Sequence, residues 1–146
     1  MNAQMASAGS KSQHDWDLYF IEIAKVVASA SKDTKTKVGS IIVDSDHRIL
    51  STGYNGTPPG FNEAKIDWND SEYKKRVVIH SEQNAIIRVD GRLLKDATLY
   101  CTHSPCPQCC LLIAAAGIKR VVFWQLFRDI SGLVDLTEFG VSWEGV

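Results

Sequence analysis

Long hydrophobic runs are missing from this chain. Its apolar runs, such as residues 111–116, fall far short of the roughly 20 residues that a membrane-spanning helix needs, which excludes membrane-embedded classes. A surplus of charge of one sign is missing too. Sixteen Lys and Arg stand against seventeen Asp and Glu for a formal net charge of -1, so there is no basic stripe to bind a nucleic-acid backbone. A small-molecule partner is the default. With 45% apolar and 23% charged residues, the composition is that of a globular domain and excludes collagen-like, low-complexity and wholly disordered classes. At 146 residues the chain is long enough to bury one real core and too short for two ordinary domains. Residues 1–11 lack the basic segment and apolar run of a secretory signal, which points to a reducing, cytoplasmic setting.

Cysteine is scarce and local. All four cysteines lie between Cys101 and Cys110, which does not suit a disulfide framework and points to metal or redox chemistry.

The apolar pattern organises the rest. Trp16, Tyr19, Phe20, Ile23, Val26, Val27 and Ala30 recur every three or four residues and predict a first helix after a loose tail over 1–12. Residues 38–43 and 48–54 read as two strands of a hairpin joined by a polar turn. Residues 61–76 show no clear period and read as a long functional loop, with disorder as the rival reading. A second helix is predicted from His80 or Ser81 to about Asp90, with Ala85, Ile86 and Val89 inward and Gly91 as a left-handed cap. A strand over 97–101, a helix over 105–116 stopped by Gly117, and a strand over 120–123 follow. A helix over 130–139 and an edge strand over 141–143 close the chain. Alternating strands and helices predict an α/β fold: three layers, α/β/α, with a mixed sheet of about five strands and helices on both faces.

The sharpest chemical signal is Pro105-Cys106-Pro107-Gln108-Cys109 at a predicted helix start. Three residues apart on a helix, the two sulfurs share a face, and the positive end of the helix dipole favours the thiolate. Such a pair serves zinc binding, thiol redox chemistry or plain packing. His80-Ser81-Glu82 adds an imidazole and a carboxylate at another helix start. If the two helix starts meet, His80, Cys106 and Cys109 are the three ligands of a catalytic zinc that keeps one position for water. Glu82 is then the non-ligand base. A non-enzymatic zinc fold would need a fourth ligand from Cys101, His103 or Cys110. A redox module would leave His80 and Glu82 idle.

An H-x-E followed by P-C-x-x-C, each opening a helix, is the signature of zinc nucleobase deaminases. From about Asp15 to Trp143 the chain resembles the deoxycytidylate deaminases. The segments that carry the resemblance are Lys37-Val38-Gly39-Ser40-Ile41-Ile42-Val43, Ser51-Thr52-Gly53-Tyr54-Asn55-Gly56-Thr57-Pro58, His80-Ser81-Glu82-Gln83-Asn84-Ala85-Ile86, Ser104-Pro105-Cys106-Pro107-Gln108-Cys109 and Ala116-Gly117-Ile118-Lys119-Arg120-Val121-Val122. The Gly-Tyr-Asn-Gly loop separates this family from its relatives.

The resemblance implies a single deaminase domain over 13–146 that hydrolyses dCMP to dUMP and ammonia and so supplies thymidylate synthesis; the alternative is a deaminase of another free cytosine nucleotide or nucleoside, and the charge balance disfavours one acting on single-stranded nucleic acid. It implies one catalytic Zn2+, with Glu82 passing protons to ring N3 and then to the departing amine. Phe61 to Ile79 holds no Cys or His for the second, structural zinc of some phage members. Asn55 is expected on the sugar, Ser81, Thr102 and Ser104 around the base, and Arg128 on the 5′-phosphate. The family also resembles a regulated hexamer, activated by dCTP and inhibited by dTTP, each with Mg2+. Gly53, Tyr54, Gly56, Lys35 and Lys37 are the expected effector positions. Where many members have Ala, this chain has Ser81, whose hydroxyl is expected to cap a helix or touch substrate. Cys101 and Cys110 are expected to pack in the core, and His14 and His47 to be solvated. His103 sits at the edge of the site.

Overall fold

The computed structural model describes residues 10–146, so most of the tail expected over 1–12 lies outside the described residues. Ser12 opens helix α1 (Gln13–Ala28): its hydroxyl accepts from Asp15 N–H, and the Asp15 carboxylate accepts from Ser12 N–H, each at 3.1 Å. The buried face of α1 is Asp17, Phe20, Ile21, Ala24 and Ala28. The expected stripe is therefore rotated, with Val26 70% exposed. The cause is Asp17, a charged residue that pattern reading assigns to the outside. Its carboxylate is turned inward by Arg120, at 2.6 and 2.8 Å, and by the Tyr100 hydroxyl at 2.6 Å.

Strands β1 (Gly39–Val43) and β2 (Ile49–Tyr54) form the expected antiparallel hairpin. β3 (Thr98–His103) pairs antiparallel with β1, and β4 (Arg120–Gln125) and β5 (Ser142–Gly145) continue in parallel. The result is the expected mixed five-stranded sheet, in the order β2-β1-β3-β4-β5. Helix α1 covers one face, over Ile41, Val43, Tyr100 and Val122. Helices α3 (Ser81–Ile87), α4 (Pro107–Ala115) and α5 (Ser131–Glu138) cover the other, over Ile42, Leu99, Cys101, Val121 and Phe123. The period-two alternation along β3 thus divides the core into two. No helix among the described residues is long and apolar enough to cross a membrane.

Two local expectations need correction. The stretch expected as a loop over 61–76 contains a 3-10 turn (Glu63–Lys65) and a helix, α2 (Ser71–Val77). Asp70 caps α2 by accepting from Tyr73 N–H, and Lys74, Lys75 and Arg76 complement its last turn. Helix α3 stops at Ile87, short of Asp90, because the Asp90 side chain accepts from Arg92 N–H and starts a new 3-10 turn. Gly91 belongs to that turn and is no left-handed cap. The expected stop at Gly117 holds: its φ of 89° suits glycine and ends α4.

Candidate active site

The sheet brings two helix starts together. After β2 the chain returns to His80, the N-cap of α3, whose backbone N–H is satisfied by Gln83 Oε1 at 2.9 Å. After β3 it reaches Cys106, the N-cap of α4, with Pro107 at the first helical position, where no N–H is needed. His80 Nδ1 lies 3.2 Å from Cys109 Sγ and 3.5 Å from Cys106 Sγ. The three ligand atoms fall within 4.8 Å of one another, and they form the one such His/Cys/Asp/Glu group among the described residues.

These spacings fit zinc. A tetrahedral ion bound at about 2.0–2.3 Å sets its ligands roughly 3.5 Å apart. The donor set is chemically matched as well. The Cys109 hydrogen bond, with help from His80, pulls the Cys106 thiol down to about 4 against the opposing effect of burial. The hydrogen bond to Cys106 in turn holds His80 above the usual imidazole value. Cys109, donor to Cys106 and buried, is pushed up. Three protein ligands are the number of an open catalytic site, whereas a closed structural site takes four. Cys110 is buried against Pro105 O at 3.6 Å, as expected of a packing residue.

Glu82 sits in the first turn of α3, 4% exposed. The Ser81 hydroxyl donates to Glu82 Oε1 and lies 2.8 Å from Ser40 Oγ, which in turn lies 3.1 Å from Cys101 Sγ. Ser81 therefore neither caps the helix nor faces solvent; it orients the carboxylate. Gly53 makes this close approach possible. A Cβ there would lie 2.4 Å from Ser81 O and from Ala85 N.

A cavity of about 290 Å³ opens on this group, near the lower end of the range for small-molecule sites. His80, Ser81, Glu82, Ser104 and Cys106 line it, together with Asp33, Thr36 and Asn55. Asn55 Oδ1 accepts from Val38 N–H at 2.8 Å and its Nδ2 donates to Thr36 O at 2.9 Å, so the amide chiefly shapes the lining. Thr102 lies behind the lining. Its hydroxyl accepts from Gly39 N–H at 3.2 Å and meets His103 Nδ1 at 3.0 Å, and His103 itself reaches the cavity. Burial holds His103 below the ordinary imidazole value.

Arg128 lies outside this lining: it is exposed, about 6.0 Å from the ring of Phe127, which does line the cavity. Lysines missed in the sequence, Lys74 and Lys75 of α2, line it instead. The Asp70 cap and the basic last turn were the signals that could have found them.

The expected effector residues lie elsewhere. Gly56 exchanges backbone hydrogen bonds with Ile79, at 2.8 and 3.1 Å, next to His80. Tyr54 lines a second cavity of about 530 Å³ together with Lys32 and Arg88. Lys35 and Lys37 are outside it, and Lys37 Nζ donates to Ser31 O at 2.6 Å. His14 is exposed as expected, while His47, also exposed, stacks on Trp16 at 4.1 Å.

Comparison with known proteins agrees with this geometry. A family model described as the cytidine and deoxycytidylate deaminase zinc-binding region matches residues 14–125. A probable deoxycytidylate deaminase of Drosophila melanogaster is 38% identical over 118 residues, covering 74% of this chain and 58% of that protein. The deoxycytidylate deaminase of Mycobacterium phage D29 is 39% identical over 124 residues, covering 77% of this chain and 96% of that protein. The chain thus spans little more than half of the animal relative and nearly all of the phage one. The dCMP deaminase of cyanophage S-TIM5, solved in complex with dCMP and dUMP, superposes with a TM-score of 0.80 at 30% identity, covering 92% of this chain and 99% of that one. With its ligand group, buried glutamate and fold all matching, this chain belongs to the cytidine and deoxycytidylate deaminase family.

Proposed function

We propose that this chain hydrolyses dCMP to dUMP and ammonia, with His80, Cys106 and Cys109 holding one Zn2+ and Glu82 carrying the protons. The observation that carries the reading is the convergence of the three ligand atoms within 4.8 Å at a cavity also lined by the buried Glu82. The S-TIM5 enzyme, held with dCMP and dUMP, supports the choice of substrate.

When bound, zinc supplies a Lewis acid that brings the pKa of a water toward about 7. Glu82 would hold the proton that a water gives up as its oxygen bonds to C4 and pass it to ring N3. It would then move the remaining proton of the C4 hydroxyl to the exocyclic nitrogen, so that the C4 carbonyl forms as the C4–N bond breaks and ammonia leaves. Ser81 keeps the Glu82 carboxylate aimed through this exchange. Ser104, whose hydroxyl accepts from Phe127 N–H at 2.7 Å, holds the rim beside the base. The product serves thymidylate synthesis in the cytoplasm.

The test is to incubate the protein with dCMP and follow loss of cytosine absorbance. Turnover is expected; turnover of cytidine with none of dCMP overturns the substrate. Replacing Cys106 and Cys109 together by Ser is expected to abolish zinc binding, measured as metal content per chain.

We further infer effector control within a hexamer, by dCTP as activator and dTTP as inhibitor, each with Mg2+. Tyr54, Lys32 and Arg88 around the second cavity support it, with Gly53 packed on α3 and Gly56 bonded to Ile79 as the link toward His80. Lys32 and Arg88 take the triphosphate-contact role first assigned to Lys35 and Lys37. Native mass and dCMP turnover, with and without each nucleotide, test it; a mass and rate indifferent to both nucleotides overturn it.

A further inference from the structure

The cations that reach the cavity come from one helix face. Ser71, Lys74, Lys75 and Val78 all line it, at the i, i+3, i+4, i+7 spacing that places them on one side of α2 and its C-cap. The two lysines are not equivalent. Lys74 Nζ lies 2.7 Å from Asp33 Oδ2, and the buried Asp33 also accepts from Lys35 N–H at 2.7 Å. Lys74 is thereby neutralised and ties α2 to the segment after α1. Lys75 pairs with Glu72 at 3.2 Å, with side chains 72% and 84% exposed. A pair that exposed contributes little and exchanges readily for a better anion.

Lys74 and Lys75 are the Lys or Arg side chains of this lining, which they share with His80, Glu82 and Cys106. A nucleoside monophosphate that presents its base to the ligand group therefore finds its phosphate counter-charge on α2.

Building on the deaminase reading, we propose that Lys75, with the Ser71 hydroxyl beside it, recognises the 5′-phosphate and sets the preference for nucleotide over nucleoside. Lys74 is the positioning residue that holds this face in place through Asp33. Arg128 is not required.

The test pairs catalysis with binding. Wild type, Lys75→Ala, Lys75→Arg and Arg128→Ala are assayed for dCMP turnover and titrated calorimetrically with dUMP and deoxyuridine. For Lys75→Ala the expectation is a rise in KM for dCMP and in Kd for dUMP of about tenfold, with kcat and deoxyuridine binding unchanged, the size expected of one exposed charge-assisted contact. Lys75→Arg is expected to restore the preference, and added salt to narrow the gap between wild type and Lys75→Ala. Wild-type turnover with dUMP binding unchanged in Lys75→Ala, or lost only in Arg128→Ala, overturns this inference alone. No wild-type turnover of dCMP overturns the deaminase reading, and this inference with it.

Discussion

Tyr100 and Cys101 are neighbours on β3 and point to opposite faces of the sheet, and each ends in a buried polar cluster of different design. On the α1 face, the Tyr100 hydroxyl and the Arg120 guanidinium converge on Asp17, and Arg120 also reaches Glu144 at 3.0 Å. Every charge there has a partner. On the other face, the Cys101 thiol, Ser40 and Ser81 lead to Glu82, a carboxylate that lines a cavity beside three side chains able to hold a metal. Burial of a charge does not by itself mark function. A cluster closed on its own counter-ion is scaffold, whereas one that opens on a cavity is poised to exchange protons with a ligand.

Four changes sharpen that contrast. The largest effect is expected from Glu82→Ala, which should lower dCMP turnover by roughly a thousandfold, the scale of a lost general acid–base, while metal analysis still finds zinc. Loss of zinc in this variant would make Glu82 a ligand. On the other face, Asp17→Ala should leave the half-buried Arg120 with Glu144 alone and the buried Tyr100 hydroxyl without its acceptor, and destabilise the fold by about 3 kcal/mol, measured by urea unfolding. Zinc content should be unchanged in the folded fraction. Gly53→Ala drives a methyl into the α3 backbone and should cost about 2 kcal/mol of stability, with a fall in turnover because Ser81 and Glu82 move with the helix. Ser81→Ala should lower kcat about tenfold with KM nearly constant, as expected for one lost hydrogen bond to a charged group.

The two clusters also part in acid. Burial alone would raise Asp17, but the hydrogen bonds from Arg120 and Tyr100 outweigh it and hold the carboxyl below the usual aspartate value. A depressed folded-state pKa contributes stability that is complete above the unfolded value of about 4 and is lost as pH falls through the folded one. In Asp17→Asn, unfolding experiments should show a shallower loss of stability below about pH 4 than in the wild type.

Much of the fold was legible because its signals are local. Strand alternation, the polar turn after β1 and Gly117 after α4 identify themselves from neighbours a few residues away. The ligand residues were legible as well, since H-x-E and P-C-x-x-C each place their chemistry at a helix start. What escaped was held by distant partners. The orientation of α1 depends on Arg120, which lies 103 residues from Asp17. The face of α2 depends on Asp33, and the role of Ser81 on Ser40 across the sheet.

The sequence by itself therefore determined the candidate ligand group, the carboxyl beside it, the order of elements and the mixed sheet, because helix starts and strand periods are written in short-range spacing. Only the tertiary structure decided that the two helix starts meet, that Ser81 serves Glu82 in place of capping, and that lysines of α2 reach the cavity where Arg128 does not. Those outcomes depend on side chains paired across the sheet and between loops, and pairing at that range follows from packing and buried charge, which no local pattern encodes.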